Sequence, residues 1–250
     1  MKEIQTTLFK SKERYMFSQK LLVSAALVLA SAIAILAAKN NVFLQGNRTT
    51  VWGKHARMTV VTDAAPSFTA TNLNDTGLVT IFSNLAAAYP KGEYWCCTGY
   101  NVMGPNSGLG EQWMAAAFTP KANHTVTKIE VAVGYSQQGT NGVVLSLNHD
   151  NNGVPGKALK TWNASNLPRF GDCCGLVVKS DSTGIPVNAG TRYWIVLSTN
   201  SNESDTVDGW NVIDTNQVDS AMAATYPGAH NKWEPLQPIP GLAFAVKGSN

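Results

Sequence analysis

Apolar and polar residues alternate most regularly in the stretch Gly142–Trp162. Val143, Leu145 and Leu147 occupy every second position, which is the period of a pleated strand with one buried face. From Asn148 to Gly156 the chain is rich in Asn, Asp, Gly and Pro, the residues that favour turns. An extended run then resumes. The stretch therefore predicts a strand, a polar turn and a second strand.

Other short runs rich in β-branched, aromatic and apolar residues follow the same pattern. They predict strands at 78–83, 113–118, 126–134, 176–179, 192–199, 209–213 and 242–246. Turn-forming Gly, Pro and Asn separate them, and no helix of convincing length is predicted after the first hydrophobic run. Many short strands joined by such turns are typical of an all-β fold. We expect an antiparallel, jelly-roll-like β-sandwich over residues 77–250.

The pattern of charge and hydropathy at the N-terminus is typical of an export signal. Leu21–Ala38 is apolar and uncharged, and a basic segment precedes it. A secretory signal has this pattern, with small residues before the cleavage point. An uncleaved signal-anchor helix is the alternative, because 18 apolar residues are enough to span a bilayer. Residues 1–38 are thus a signal peptide or an anchor, and residues 39–76 are interpreted as a leader or spacer.

Composition and charge exclude some classes of partner. Charged residues make up 14% of the chain, which suits a turn-rich exported domain with a neutral surface. The formal net charge of +3 equals the net charge of residues 1–38, which hold five basic and two acidic side chains. The mature chain is therefore near neutrality, and no nucleic-acid partner is expected. We expect a secreted or cell-surface protein, attached to the membrane only if the N-terminal helix is retained.

Several of these segments resemble the bacterial exported domains known as choice-of-anchor domains. The similarity runs from about residue 77 to residue 250 and is carried by TIFSNL (80–85), EQWMAAAFTP (111–120), LNHDNNGVPGKAL (147–159), AGTRYWIVL (189–197) and AFAVKG (243–248). The resemblance implies a jelly-roll-like sandwich at or outside the cell surface, with no established catalytic activity. Members of the family carry varied anchoring devices, and we expect this chain to have no C-terminal sorting segment.

The four cysteines form two adjacent pairs, Cys96-Cys97 and Cys173-Cys174. In an exported protein four cysteines usually form two disulfides. Neighbouring cysteines in a strand point to opposite faces, which favours bonds from one pair to the other over a vicinal ring within each pair. Vicinal disulfides, free thiols and a metal site remain as alternatives. A four-thiolate zinc site is disfavoured because structural zinc prefers spaced cysteines.

Aromatic and acidic side chains next to polar turns are the candidates for ligand binding. They are Trp162, Trp210, Trp233, Asp208 and Asp214. Exposed aromatic faces beside hydrogen-bonding groups suit sugars. The competing interpretation places tryptophans between the sheets and the acids in turns that flank a strand. Trp113 and Trp194, which lie within apolar strands, are predicted to be core residues.

A weak calcium candidate lies in the turn of the central hairpin. Asp150 and Asn152 offer the oxygen ligands that hard cations prefer, but the turn lacks the alternating ligands and closing Glu of an EF-hand. Turn chemistry accounts for both residues. No other cofactor is expected.

Catalytic constellations are weak in this sequence. Gly134–Gly139 superficially resembles a nucleophile elbow, but its second glycine is one residue late and no helix follows, which favours a hairpin turn. Glu130 lies on the polar side of a predicted strand and is expected to be a solvated cross-strand partner. We therefore expect a non-catalytic domain with a structural role or a glycan- or protein-binding role. A hydrolase that acts on extracellular polysaccharide is the alternative.

Overall fold

The computed structural model describes nine segments of the chain. They are residues 43–45, 48–52, 57–61, 75–85, 94–172, 175–213, 219–224, 232–236 and 241–250. The chain divides into two compact units, residues 1–43 and 44–250, and all described residues except Phe43 belong to the second. The predicted signal or anchor helix lies outside the described residues. Among the residues that are described, no helix is both long and apolar enough to cross a bilayer.

The described chain consists of seventeen β-strands. These are β1 (Phe43–Gln45), β2 (Arg48–Trp52), β3 (Arg57–Val61), β4 (Val79–Ser83), β5 (Trp95–Met103), β6 (Gln112–Phe118), β7 (His124–Val131), β8 (Val133–Gln138), β9 (Gly142–Asn151), β10 (Val154–Ser165), β11 (Val177–Val187), β12 (Tyr193–Ser198), β13 (Val207–Ile213), β14 (Ser220–Ala224), β15 (Glu234–Leu236), β16 (Gly241–Leu242) and β17 (Phe244–Ser249). The described part of the chain holds no helix, so the predicted all-β class is confirmed.

The strands form two antiparallel sheets. The large sheet has the order β1-β2-β3-β5-β6-β12-β9-β10, with β13 also paired to β5, β8 and β16, and β14 paired to β6 and β15. The small sheet has the order β11-β7-β17-β4. β1, β2 and β3 lie within the segment interpreted as a spacer, and β3 pairs with β5. The domain boundaries expected from the sequence stay a prediction.

A single apolar core joins the two sheets. Leu145 and Ile195 of the large sheet belong to the same buried cluster as Ile129 and Phe244 of the small sheet. The Phe244 ring lies 6.4 Å from the ring of Phe118 on β6, centroid to centroid. Burial of this apolar area is the main stabilising contribution to the fold.

The central hairpin confirms the strand–turn–strand prediction but has a shorter turn than expected. β9 continues to Asn151, and β10 begins at Val154, its cross-strand partner. Only Asn152 and Gly153 lie between them, with φ of 56° and 87°. Positive φ at both central residues is the geometry of a tight two-residue hairpin, for which Asn-Gly is the preferred pair.

Replacing Gly153 with Ala should destabilise the protein by about 1–2 kcal/mol, because an L-residue with a Cβ disfavours this left-handed backbone. Urea unfolding measures the effect. Asn152→Gly is the matched control, because glycine adopts the positive φ of this neighbouring position without strain. It should leave stability almost unchanged. Equal stabilities of Gly153→Ala and the wild type would contradict the assigned turn.

The expectation of one buried face on β9 is wrong, because both faces of this strand are buried. Val143, Leu145 and Leu147 are 0% exposed, but Val144 and Ser146 on the opposite face are only 8% and 6% exposed. β9 lies between β10 and β12 in the large sheet. A second buried cluster, here called the outer cluster, lies on the large sheet. It consists of Ala115, Ala117, Trp194, Val196 and Ala221.

A β-bulge interrupts the regular alternation predicted for residues 126–134. Lys247 and Gly248 of β17 pair with Lys128 and Val126, which leaves Thr127 as the extra residue on β7. The side chains of Lys128 and Glu130 point to the opposite face of the sheet from the core residue Ile129. They are nevertheless only 8% and 1% exposed. The expectation that Glu130 is solvated is therefore wrong.

Candidate functional site

The three tryptophans proposed from the sequence do not assemble into one site. Trp162 of β10 pairs with Leu145 and packs, half-buried, against the main core. Trp210 of β13 is 0% exposed and donates from Nε1 to the carbonyl oxygen of Ala243 at 3.0 Å. The exposure considered for Trp210 is therefore wrong. Trp233 is half-buried and packs against the outer cluster.

Trp233 thus lies on the opposite side of the large sheet from Trp162. Along β12, Ile195 and Leu197 belong to the main core, whereas Trp194 and Val196 belong to the outer cluster. Successive residues of a strand point to opposite faces, so the outer cluster covers the face turned away from the core. Its remaining members are alanines, which leave room above the sheet for the Trp233 ring.

The outer face carries two further tryptophans at different depths. Trp194 is 0% exposed, as expected for a core residue. Trp113 was also predicted to be a core residue, but it is only half-buried. Trp113 donates from Nε1 to Thr199 Oγ1 at 3.1 Å. Trp194 pairs with Ala117, four residues along β6 from Trp113. At the usual rise of a strand, this separation is about 14 Å along the sheet.

Polar groups near Trp194 are fixed by hydrogen bonds. Asp150 accepts from Trp194 Nε1 at 2.7 Å through Oδ1 and from the Gly153 N–H at 3.1 Å through Oδ2. Asn148 donates to the carbonyl oxygen of Gly156 at 2.7 Å. The Asp150 carboxylate therefore anchors both the hairpin turn and the Trp194 ring. Asn152 is exposed in that turn.

Asp208 occupies a different environment from the one predicted. The interpretation as a turn acid is wrong, because Asp208 lies inside β13, two residues before Trp210, and is 0% exposed. Trp210 and Val212 face the main core, so the alternation of the strand directs Asp208 into the same interior. Its cross-strand neighbours are Val102 of β5 and Tyr135 of β8.

Burial raises the pKa of the Asp208 carboxyl to about 8, because the ionised form loses its hydration. The backbone N–H groups of Ser136 and Gly142 lie close enough to lower the pKa in part. Neither carboxyl oxygen makes a hydrogen bond of standard geometry with the described residues. The Gly142 N–H instead donates to the carbonyl oxygen of Thr140 at 3.1 Å. At neutral pH Asp208 is consequently protonated for the most part.

A second buried acid lies next to the same glycine. Glu203 is 8% exposed, and its Oε2 has no hydrogen-bond partner among the described residues. A Cβ built on Gly142 would lie 3.4 Å from Glu203 Cγ. Glu203 was not predicted from the sequence, because its segment between β12 and β13 has the composition of an ordinary polar loop.

This loop is tightly packed against its neighbours. Asp205 Oδ1 accepts from the Thr140 N–H at 3.1 Å and from Thr140 Oγ1 at 2.7 Å. Thr206 Oγ1 donates to the carbonyl oxygen of Thr140 at 2.7 Å. The loop therefore covers the end of the interior in which Asp208 lies.

The structure does not describe the side chains of several other candidates. Asp214, Cys173 and Cys174 lie outside the described residues, and the side chains of Cys96 and Cys97, on β5, are not described either. The disulfides stay a prediction. Within the described segments no three His, Cys, Asp or Glu side chains come together as a metal site would require. Calcium at Asp150 and Asn152 also stays a prediction.

Comparison with known proteins gives no relative from which function could be transferred. The chain matches no protein-family model, no curated protein and no solved structure.

Proposed function

We propose that this protein is an exported, non-catalytic β-sandwich domain that binds a carbohydrate chain at the cell surface. The binding face is the outer face of the large sheet, with Trp233 and Trp113 as its aromatic contacts. The two-sheet arrangement around one core supports the sandwich, and its jelly-roll character and the choice-of-anchor resemblance belong to the same proposal. Export rests on the apolar run Leu21–Ala38 and the basic segment before it.

The observation that carries the proposal is the half-buried Trp233 ring on the outer cluster. Its inner part is fixed by packing against this cluster, whereas its neighbour Lys232 is exposed. An aromatic ring held on a rigid sheet offers a flat apolar face at little conformational cost. Sugar rings stack on such faces, and nearby polar groups provide hydrogen bonds.

Screening the full exported chain on a glycan array, followed by calorimetric titration of the best-binding oligosaccharide, tests the proposal. Trp233→Ala should weaken binding by about 30-fold, because truncation of a tryptophan at a binding hot spot costs about 2 kcal/mol. Trp113→Ala should weaken it as well.

Trp162→Ala is the matched control, because this half-buried tryptophan packs against the main core, on the other face of the sheet. It should lower stability and leave affinity unchanged. Equal loss of affinity in Trp162→Ala and Trp233→Ala, or no glycan bound by the wild type, would contradict the proposed face.

A polysaccharide-acting hydrolase is the second candidate, and Asp208 is the observation that favours it. A carboxyl with a pKa of about 8 has the property of a general acid. The backbone of Gly142 lies close to Asp208, and a second buried acid, Glu203, lies next to the same glycine. However, Asp208 faces the interior between the sheets, where no polymer chain has access. Release of reducing ends by the wild type, abolished in Asp208→Asn, would establish the hydrolase in place of the binding role.

A further inference from the structure

The outer face of the small sheet carries two lysines directly opposite each other. Lys128 of β7 and Lys247 of β17 are cross-strand partners. Like charges in this position repel each other, and burial increases the cost. Their side chains are only 9% and 14% exposed. The arrangement is therefore stable only if anions lie between the two ammonium groups.

Glu130, two residues after Lys128 on β7, supplies the first anion. Its Oε1 lies 3.1 Å from Lys128 Nζ and its Oε2 lies 2.9 Å from Lys247 Nζ. The Glu130 side chain is 1% exposed, so it is an integral part of the sheet. One carboxylate neutralises one of the two ammonium groups. The three sheet residues together retain a charge of +1.

Asp75 supplies the second anion from outside the sheet. Its Oδ1 lies 2.6 Å from Lys128 Nζ, and its Oδ2 contacts Lys247 Nζ. Asp75 precedes β4, and the Leu78 N–H donates to its carbonyl oxygen at 3.0 Å in a turn where Gly77 has a φ of 84°. With a side chain 34% exposed, it is the most accessible member of the group. The two lysines thus bind a carboxylate that approaches from the solvent side.

We propose that Lys128 and Lys247 form a carboxylate-binding site, which Asp75 occupies within its own chain and which accepts a carboxylate from another molecule when Asp75 is absent. The site lies on the small sheet and is independent of the glycan-binding face. Glu130 sets its capacity at one anion, because a second added carboxylate would bring the group to a net charge of −1.

Rescue by a small carboxylate tests this site. Asp75→Ala should unfold at a lower temperature than the wild type, and 100 mM sodium acetate should raise its midpoint by about 3 °C relative to 100 mM sodium chloride. The wild type should show no such difference between the two salts, because its site is filled. If Asp75→Ala does not fold, Asp75→Asn serves in the same experiment, because it keeps the shape and removes the charge.

The double variant Asp75→Ala, Lys247→Met is the matched control. It retains the charge-balanced pair of Lys128 and Glu130, and it should not respond to acetate. Methyl glucuronide and N-acetylaspartate methylamide, used at the same concentration, distinguish a sugar acid from an acidic side chain as the carboxylate that fits. Equal acetate shifts in all variants, or no acetate-specific shift in either Asp75 variant, would overturn the proposal.

Discussion

Asp208→Asn should make this protein more stable at alkaline pH while leaving it unchanged at acid pH. The pKa of Asp208 is raised from 3.8 to about 8 in the folded protein. The folded state therefore binds the proton more tightly than the unfolded state. The contribution of Asp208 to the stability of the wild type is greatest below pH 4, falls as the pH rises towards 8, and is constant above that.

The size of this effect follows from the shift in pKa. Each unit is worth about 1.4 kcal/mol, so the wild type should lose about 5 kcal/mol relative to Asp208→Asn between pH 4 and pH 9. Urea unfolding of both proteins at pH 4, 6.5 and 9 measures the difference. The amide matches the neutral carboxyl in shape, which keeps the packing in the comparison constant.

Asp205→Asn is the control for this pH series. The hydrogen bonds from Thr140 lower the pKa of Asp205, so this group does not titrate between pH 5 and pH 9. Its replacement should change stability by the same amount throughout that interval. If the stability difference between the wild type and Asp208→Asn did not vary with pH, Asp208 would not be buried as described.

Glu130→Gln should destabilise the protein by about 3–5 kcal/mol, the usual cost of removing one partner from a buried ion pair. Among the described residues, the substitution leaves Asp75 as the one anion in contact with Lys128 and Lys247. The two ammonium groups are then held in the sheet with an unbalanced charge. Urea unfolding at pH 7 measures the loss.

Two further variants show whether charge balance is the cause. Adding Lys247→Met to Glu130→Gln restores neutrality and should recover part of the lost stability. Asp219→Asn removes the exposed pair with Arg192, in which the side chains are 51% and 42% exposed, and should cost no more than about 1 kcal/mol. A cost below 1 kcal/mol for Glu130→Gln would contradict the buried network.

The same network limits the pH range in which the small sheet is stable. Hydrogen bonds from Lys128 and Lys247 lower the pKa of Asp75, so the stability it contributes is lost as the pH falls through its lowered pKa. Despite the opposing effect of burial, the hydrogen bonds that the lysines donate to Asp75 and Glu130 raise the pKa of each lysine above 10.5. That contribution is lost only when the pH rises through the raised values.

Local patterns were sufficient to predict about half of the described strands. Alternation and β-branched residues located β4, β6, β12 and β13, and the stretch rich in Asn, Asp, Gly and Pro from Asn148 to Gly156 located the hairpin turn. They failed where burial depends on distant strands. Both faces of β9 are buried in a sheet that carries the outer cluster, a condition that no single segment of the sequence reveals.

The candidate sites were less predictable for the same reason. A strand containing Asp208, Gly209 and Trp210 has no regular alternation, so nothing local shows that the acid faces the interior. The Asp75–Lys247 contact joins residues 172 positions apart. Trp233 was identified because an aromatic residue next to a polar turn is a local signal, and the structure then placed it on the outer cluster.

The pairing of β17 with both β4 and β7 has a consequence for how the protein folds. Ser83 and Ala245 are cross-strand partners, as are Val131 and Phe244. The small sheet is therefore incomplete until residues 244–249 have been synthesised, and its contacts span most of the chain. Such a high contact order predicts slow folding, on the scale of milliseconds to seconds.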